Sequence, residues 1–401
     1  MDKKNVVMVL PTMAGGGAER VAALLTNEFH KSGYGAKFVL TQVKPENLIK
    51  RDLNEDIPLI LLREKYAEIY AKKDYLMFPV RLFSSAVSKI FEKAKKRVPA
   101  FIAYLSFVSL YRREIKQVRG MMKEDENADF IAFLQPTIPI VLLAARGLKN
   151  RVIFSERDDP KRLIKKRYGW NFIKKYYQRA DAVVFQTQDA KDTYPESISK
   201  KGTVITNPIK GDLPLPYCGE RNNFITTFCR ISNQKNLPLL LRAFKLLHAD
   251  HPEYVLKIIG DSNNKEGDEI KKNLCEYIKE NGLGDFVKFE PFRPNVHEGI
   301  IRDAMYVNSS DTEGISNAML EAMAIGMPSV CTDCPIGGAK QTITDGENGL
   351  LVPIKDENAL YLAMKRVIEE EGLKEKLSLN AAKVREEMSL EKIAKKWIGL
   401  L

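Results

Sequence analysis

Residues 309–328 have the sequence SSDTEGISNAMLEAMAIGMP, and a short apolar segment at 305–308 precedes them. The apolar segment predicts a buried strand. Ser316 is a favourable N-cap for a helix, and the combination of Gly326 with Pro328 is typical of a helix end. The stretch therefore predicts a strand, a loop and a short helix, which together form the repeating unit of a parallel α/β sheet.

Two carboxylates of this stretch are predicted to lie near the start of the helix. Glu313 precedes Gly314, which permits a tight turn, and Glu321 lies about a turn and a half inside the helix. The first helical residues present free backbone N–H groups, which suit an anion. These residues are Ser316, Asn317 and Ala318. One carboxylate can then face sugar hydroxyls, and the other can face a ribose.

The alternation of apolar runs with helical patterns continues through the chain in both directions. In the first half, strands are predicted near residues 6–11, 37–42, 57–62, 129–134, 151–155 and 181–186. In the second half, they are predicted near residues 223–229, 254–260, 286–289, 305–308 and 328–331. Strands separated by helices indicate two parallel, doubly wound sheets. We predict one domain of residues 1–207, to which a C-terminal helix at 389–401 returns, and a second domain of residues 208–388.

A basic loop follows the first predicted strand of the second domain. Residues 228–236 have the sequence FCRISNQKN, so Arg230 and Lys235 flank a strand-to-helix connection. Doubly wound sheets bind their ligands beyond the carboxyl ends of the strands. Two cations at that edge can bind a diphosphate.

Two segments of the first domain place glycines and polar groups at predicted strand ends. The first, between a strand and a helix, contains Gly15, Gly16, Gly17 and Glu19. The second contains Glu156, Arg157 and Asp158. A glycine backbone can approach a phosphate closely, and polar groups at a strand end suit sugar hydroxyls.

These segments together resemble glycosyltransferase family 4. Residues 313–328 match every fixed position of the family signature E-G-x-x-x-x-x-x-E-A-M-A-x-G-x-P. Residues 229–235 resemble the family's G-R-x-x-x-x-K loop, with Cys229 in place of the usual glycine. Residues 15–20 resemble its G-G-A-E-R loop. Residues 155–160 resemble the S-E-x-x-x-P segment of members that build bacterial surface polysaccharides.

The resemblance implies the GT-B fold, in which two doubly wound Rossmann-like domains face each other across a cleft. It implies a retaining transferase that moves a hexose or N-acetylhexosamine from a nucleotide-diphosphate sugar, with UDP favoured, by front-face transfer. The departing diphosphate then accepts the acceptor's proton. No D-x-D motif ends a predicted strand, so we expect that neither a metal nor another cofactor is required.

The resemblance also assigns roles to residues of this chain. The implied catalytic residues are Glu313, Arg230 and Lys235. The implied donor-binding residues are Gly15, Gly16, Gly17, Arg230, Lys235, Glu313, Gly314, Ser316, Asn317, Ala318 and Glu321. The implied acceptor-binding residues are Glu19, Glu156, Arg157 and Asp158.

Positive charge is concentrated in two aromatic-rich segments of the first half. Residues 61–120 hold fourteen Lys and Arg against five Asp and Glu, and residues 161–179 hold eight against none. Such segments bind anionic membrane surfaces with about 1 kcal/mol per cation near the surface. We therefore expect a peripheral protein at the cytoplasmic face of the cell membrane, acting on a polyprenyl-diphosphate-linked glycan or a polysaccharide. A solvated basic face over an ordinary core is the plainer interpretation.

Two other functions fit parts of the sequence. A nucleic-acid-binding protein would use the basic segments, but no RNA- or DNA-binding motif accompanies them, so nucleic acid is not an expected partner. A sugar-nucleotide epimerase with the GT-B fold would use the same donor residues. No segment approaches the ~20 apolar residues of a transmembrane helix, and no signal peptide is expected. The cysteine count is odd, at five, and Cys331 and Cys334 are expected to be buried free thiols.

Overall fold

The chain folds into two compact units in a computed structural model that describes residues 5–13, 15–42, 52–62, 78–93, 98–157, 175–262 and 264–401. The N-terminal unit comprises Met1–Ile205 with Ile393–Leu401, and the C-terminal unit comprises Thr206–Lys392. The first unit thus ends at Ile205, where the sequence predicts a boundary after Asn207.

The N-terminal unit is built on a seven-stranded parallel sheet with the order β3-β2-β1-β4-β5-β6-β7. Its strands are β1 (Asn5–Leu10), β2 (Gly35–Leu40), β3 (Leu59–Leu61), β4 (Asp129–Phe133), β5 (Val152–Ser155), β6 (Ala182–Phe185) and β7 (Gly202–Val204). Because β1 pairs with both β2 and β4, the strand order reverses between β1 and β4. A ligand crevice is expected at such a reversal, beyond the carboxyl ends of the strands.

Helices connect these strands, and their apolar faces pack on the sheet. The helices of the described part of this unit are α1 (Gly17–Lys31), α2 (Phe78–Lys93), α3 (Ala100–Glu124), α4 (Thr137–Ala144), α5 (Gln188–Asp192) and α6 (Glu196–Ser199). In α1 the side chains of Val21, Leu25 and Phe29 recur every four residues and are buried, as a helix packed on a sheet requires.

The C-terminal unit is built on a six-stranded parallel sheet with the order β10-β9-β8-β11-β12-β13. Its strands are β8 (Phe224–Phe228), β9 (Val255–Ile259), β10 (Val287–Glu290), β11 (Met305–Asn308), β12 (Ser329–Thr332) and β13 (Leu350–Val352). The order reverses between β8 and β11, which are neighbours in space although some eighty residues separate them in the chain. The loops that follow β8 and β11 therefore meet.

The helices of the C-terminal unit complete the second doubly wound layer. They are α7 (Leu237–Asp250), α8 (Lys265–Glu280), α9 (Val296–Ile300), α10 (Asn317–Ala324), α11 (Glu357–Glu369), α12 (Leu373–Ala381) and α13 (Val384–Glu387). A short 3-10 helix, Asn233–Lys235, precedes α7. No helix among the described residues combines the length and the apolarity needed to cross a bilayer.

The last helix, α14 (Leu390–Ile398), returns the chain to the N-terminal unit. Ile393, Ala394 and Trp397 belong to the core of that unit, and the Trp397 ring stacks on Phe133 with 5.6 Å between ring centroids. Burial of an aromatic side chain of this size contributes several kcal/mol to folding. The predicted C-terminal helix thus completes the first core.

The predicted parallel sheets are confirmed, and each predicted strand is present with its ends shifted by no more than about two residues. The sequence did not predict β7 and β13, which have three residues each. Strands this short give no resolvable alternation of apolar and polar residues. Only the complete sheets show these two strands, which lie at their edges.

Candidate functional site

The loops after β8 and β11 form one cluster at the carboxyl edge of the second sheet. The backbone N–H of Asp311 donates to the carbonyl of Gln234 at 2.9 Å, and the Ser309 hydroxyl donates to the carbonyl of Lys235 at 2.9 Å. The Asn236 amide donates to the Asp311 carboxylate at 2.8 Å. These bonds join two segments that are distant in sequence and hold them at the strand reversal.

Glu313 and Lys235 form an ion pair within this cluster. The Lys235 ammonium donates to Glu313 Oε1, and both side chains are largely buried. The Ser310 hydroxyl and the Gln234 amide also approach the carboxylate, each at 3.3 Å. Burial lowers the pKa of Lys235, but the Glu313 carboxylate and the Cys229 side chain together raise it by more, so the pKa lies above its usual range. Lys235 is therefore a fixed cation throughout the physiological pH range.

Arg230 lies two residues beyond β8, beside this ion pair, and its side chain is exposed. Within the described part of the chain it forms no hydrogen bond or ion pair. Its charge is thus available to an incoming anion, whereas the charge of Lys235 is balanced by Glu313. An exposed guanidinium of this kind can contact the oxygens of a diphosphate directly.

A glycine-containing loop packs directly against the Glu313 segment. A Cβ atom added to Gly338 would lie 1.5 Å from the carbonyl oxygen of Gly314, so only glycine permits this approach. The Cys334 thiol donates to the carbonyl of Ser310 at 3.0 Å. Burial raises the pKa of Cys334 to about 12, which agrees with its predicted role as a buried free thiol. The loop that follows β12 thus fixes the loop that carries Glu313.

The start of α10 is capped as the sequence predicts. The Ser316 hydroxyl accepts from the backbone N–H of Met319 at 3.3 Å. Asn207, which the sequence did not single out, donates to the carbonyl of Ile315 at 3.1 Å and to Oδ1 of Asn317 at 2.7 Å. Asn207 therefore fixes the backbone just before the helix.

Glu321 lies inside α10 and is almost completely buried. Its Oε2 atom is 2.8 Å from Nε2 of His297, which belongs to α9 and is also buried. Sequence reasoning did not find His297, because it lies 24 residues before Glu321 and on no predicted strand end. Only the fold shows that this position of α9 faces Glu321.

The glycine segment of the N-terminal unit carries Glu19 in a structural role. Gly15 adopts a positive φ of 85°, and α1 begins at Gly17. The Glu19 carboxylate accepts from the backbone N–H of Gly16 at 2.7 Å and from the hydroxyl of Thr12. Glu19 thus holds the turn closed over the start of the helix. Its contact with an acceptor stays a prediction.

Glu156 and Arg157 follow β5 and are buried. The amide of Gln135 and the hydroxyl of Tyr194 each lie 3.4 Å from Glu156 Oε2. Burial lowers the pKa of Arg157 to about 9, against the opposing effect of Glu156, so its guanidinium is charged at neutral pH. That guanidinium stacks over the Phe133 ring at 4.6 Å. Asp158, the fourth predicted acceptor residue, lies outside the described residues.

The two basic segments are described only in part, since residues 63–77, 94–97 and 158–174 lie outside the described ranges. In the described part, α2 and α3 expose the apolar side chains of Leu82, Phe83, Ile90 and Phe101. Tyr104 of α3 stacks on Tyr176 at 5.7 Å, and the Arg179 guanidinium lies 5.3 Å from the same Tyr176 ring. The described parts of the two basic segments thus contain both exposed apolar side chains and a cation packed on an aromatic ring.

Comparison with known proteins finds a family model that matches part of this chain. The model described as glycosyl transferases group 1 matches residues 219–384, which contain Arg230, Lys235, Glu313 and Glu321. Among solved structures, Anabaena HepE in complex with UDP is similar over 98% of each chain, with a TM-score of 0.75 and 16% identity. This likeness confirms the predicted fold class of two doubly wound, Rossmann-like domains of the GT-B type.

Two curated relatives come from Campylobacter jejuni. One is N-acetylgalactosamine-N,N'-diacetylbacillosaminyl-diphospho-undecaprenol 4-alpha-N-acetylgalactosaminyltransferase, 26% identical over 70% of this chain and 76% of the relative. The other is the alpha-1,4-N-acetyl-D-galactosaminyltransferase that acts on GalNAc-alpha-(1->4)-GalNAc-alpha-(1->3)-diNAcBac-PP-undecaprenol. It is 26% identical over 71% of this chain and 77% of the relative. Both relatives are named for acceptors linked to undecaprenol through a diphosphate.

Proposed function

We propose that this chain, a glycosyltransferase that moves hexosyl groups, takes a UDP-sugar as its donor. The match of residues 219–384 to the model described as glycosyl transferases group 1 supports this proposal. We propose that the transferred sugar is a hexose or an N-acetylhexosamine and that its anomeric configuration is retained. The acceptor is a lipid-linked glycan or a polysaccharide, and the protein works at the cytoplasmic face of the cell membrane.

One observation carries the proposal for the donor. The exposed guanidinium of Arg230 lies beside the Lys235–Glu313 ion pair at the strand reversal of the C-terminal sheet. A diphosphate at this edge would meet two cations and the N-terminus of α10. The complex of HepE with UDP, a protein of the same fold, supports the assignment.

The proposed chemistry uses these groups without a metal ion. Arg230 and Lys235 stabilise the negative charge that develops on the departing diphosphate, and one such preorganised contact is typically worth about 3–4 kcal/mol. Glu313 approaches the donor sugar. The diphosphate then takes the proton of the acceptor hydroxyl as the new glycosidic bond forms on the same face of the sugar.

The acceptor proposal rests on the N-terminal unit and on the relatives. Glu19, Glu156 and Arg157 belong to segments that follow β1 and β5, at the carboxyl edge of the first sheet. The Campylobacter transferases named for undecaprenol-diphosphate acceptors support a lipid-linked diphosphate. The exposed apolar side chains of α2 and α3, set among cations, support attachment to an anionic membrane.

Calorimetric titration with a panel of UDP-, GDP- and ADP-sugars tests the donor proposal, with and without EDTA. We expect one preferred UDP-sugar, bound equally well in EDTA. The variants Arg230→Ala and Glu321→Ala should each lose at least about ten-fold in affinity, because each removes a charged contact. The matched control is Arg366→Ala, which removes an exposed arginine paired with Glu370 on a remote helix. It should bind like the wild type.

Three outcomes would count against the proposal. Equal binding by the wild type and by both variants would contradict the assigned site. Binding that disappears in EDTA would contradict the metal-free chemistry. Conversion of the donor into an epimer without acceptor would replace the transferase by an epimerase.

A further inference from the structure

Glu321 is a buried carboxylate whose charge needs a hydrogen-bond donor. Glu321 and His297 are 5% and 3% exposed, so neither group can rely on bulk water. Burial of an ionised carboxylate is costly unless a donor compensates for the lost hydration. The distance of 2.8 Å between Nε2 of His297 and Oε2 of Glu321 is that of a direct, charge-assisted hydrogen bond.

His297 is itself held in place by aromatic packing. Its ring stands edge-on to Phe228, with 5.6 Å between centroids and an interplanar angle of 87°. Phe228 is the last residue of β8, directly before the loop that carries Arg230, and it packs on Tyr306 of β11 at 5.1 Å. The imidazole is therefore fixed by the same two strands that deliver Arg230 and Glu313 to the site.

We propose that His297 is a positioning residue for nucleotide recognition. It holds one oxygen of Glu321, so that the carboxylate keeps a single orientation in which it accepts hydrogen bonds from the ribose hydroxyls of a nucleoside diphosphate. The inference rests on the proposed function, because it requires that Glu321 faces the ribose of the donor. His297 does not touch the ligand. It acts through the carboxylate that does.

His297 offers both a hydrogen-bond donor and an aromatic ring, and substitutions can test these two properties one at a time. His297→Phe keeps an aromatic ring against Phe228 but removes the hydrogen-bond donor. His297→Gln keeps a donor amide but loses the ring. If orientation of the carboxylate is what matters, the Gln variant should retain ribose recognition and the Phe variant should lose it. A residue needed only for packing would give the opposite order.

The matched control is a second histidine–glutamate pair in the same unit. Nε2 of His251 lies 3.0 Å from Oε1 of Glu369, and Glu369 ends a helix outside the donor cluster. The control variant His251→Phe removes this pair without touching the site. It should leave nucleotide binding unchanged.

The experiment measures binding of UDP and of 2′,3′-dideoxy-UDP by calorimetry to the full chain and its variants. We expect the wild type, His297→Gln and His251→Phe to prefer UDP over the dideoxy analogue. His297→Phe should bind UDP about ten-fold more weakly and the dideoxy analogue as before, because only UDP has the ribose hydroxyls that the positioned carboxylate contacts. A Glu321→Ala variant should show the same loss, and adding His297→Phe to it should cost no more.

The outcomes separate the inference from the function on which it rests. If the wild type binds neither nucleotide, the proposed donor is wrong and the inference falls with it. If the wild type prefers UDP and His297→Phe keeps that preference, the donor stands and the positioning role is refuted. Losses at His297 and Glu321 that simply add would also refute the role, because they would show two independent contacts.

Discussion

At the scale of single residues, the two glutamates of the C-terminal site each have a partner side chain within the protein. Lys235 is paired with Glu313, and Glu321 with His297, while Arg230 is left exposed. Such pairing keeps buried charges from being isolated, which would cost several kcal/mol each. It also fixes the side chains in position, so that the proposed diphosphate would bind with little reorganisation.

The Lys235–Glu313 pair is expected to stabilise the fold as well as the site. Lys235→Met should destabilise the C-terminal unit by about 2–4 kcal/mol, because it leaves a carboxylate buried without its cation. Glu313→Gln should also destabilise it, and the double variant should lose less than the sum of the two. Urea unfolding at pH 7 measures the three free energies. Additive losses would show that the pair contributes no coupling.

The pH dependence of this pair follows from the raised pKa of Lys235. A cation with a raised folded-state pKa contributes stability that is fully present below its unfolded pKa and is lost as the pH rises through the folded value. The coupling in the double-variant cycle should therefore stay constant from pH 6 to pH 9. A coupling that already declines within that window would contradict the raised pKa.

At the scale of elements, the site depends on loops that follow neighbouring strands. The loops after β8, β11 and β12 touch through backbone atoms, as the contact of Gly338 with Gly314 shows. A backbone carbonyl cannot move aside as a flexible side chain can. Glycine is therefore required at position 338, where the Gly314 carbonyl approaches closely. A Cβ atom added to Gly284 would have no atom within 4 Å.

This difference gives a matched pair of substitutions. Gly338→Ala should displace the loop that carries Glu313, lower the melting temperature and weaken nucleotide binding. Gly284→Ala should leave both unchanged or slightly raise the melting temperature, since alanine restricts the unfolded chain. Differential scanning calorimetry with and without UDP measures both effects. Equal behaviour of the two variants would mean that the loop adjusts without cost.

At the scale of the whole molecule, each unit contributes its own strand reversal and its own set of polar groups. The last helix returns to the N-terminal unit, where Trp397 is fully buried against Phe133. The N-terminal unit also carries the exposed apolar side chains of α2 and α3. Positive charge and apolar surface together favour an anionic bilayer over water.

Vesicle co-sedimentation tests this membrane proposal. The wild type should bind vesicles that contain phosphatidylglycerol and not vesicles of pure phosphatidylcholine. Phe83→Ser and Phe101→Ser should each weaken binding, because both side chains are more than half exposed and lose apolar contact with the lipid. Leu362→Ser, an equally exposed leucine on the C-terminal unit, is the control and should bind normally. Equal binding by all variants would place the membrane contact elsewhere.

The sequence by itself determined the fold class, the positions of most strands, the cap at Ser316 and the candidate residues of the donor loop. These features depend on local patterns, because apolar periodicity, capping and turn residues act over a few neighbouring positions. Arg230, Lys235, Glu313 and Glu321 could be named for the same reason, since each occupies a fixed place in a short motif.

Only the tertiary structure decided how these residues are used. The pairing of Lys235 with Glu313 requires β8 and β11 to be neighbours, and no local pattern encodes the order of strands in a sheet. The same holds for His297 against Glu321 and for Asn207 against Ile315. For Glu19 the sequence position predicts contact with an acceptor, whereas its carboxylate bonds to Gly16 and Thr12 and closes a turn. Long-range contacts form only when the whole core assembles, so the choice of partner belongs to the fold.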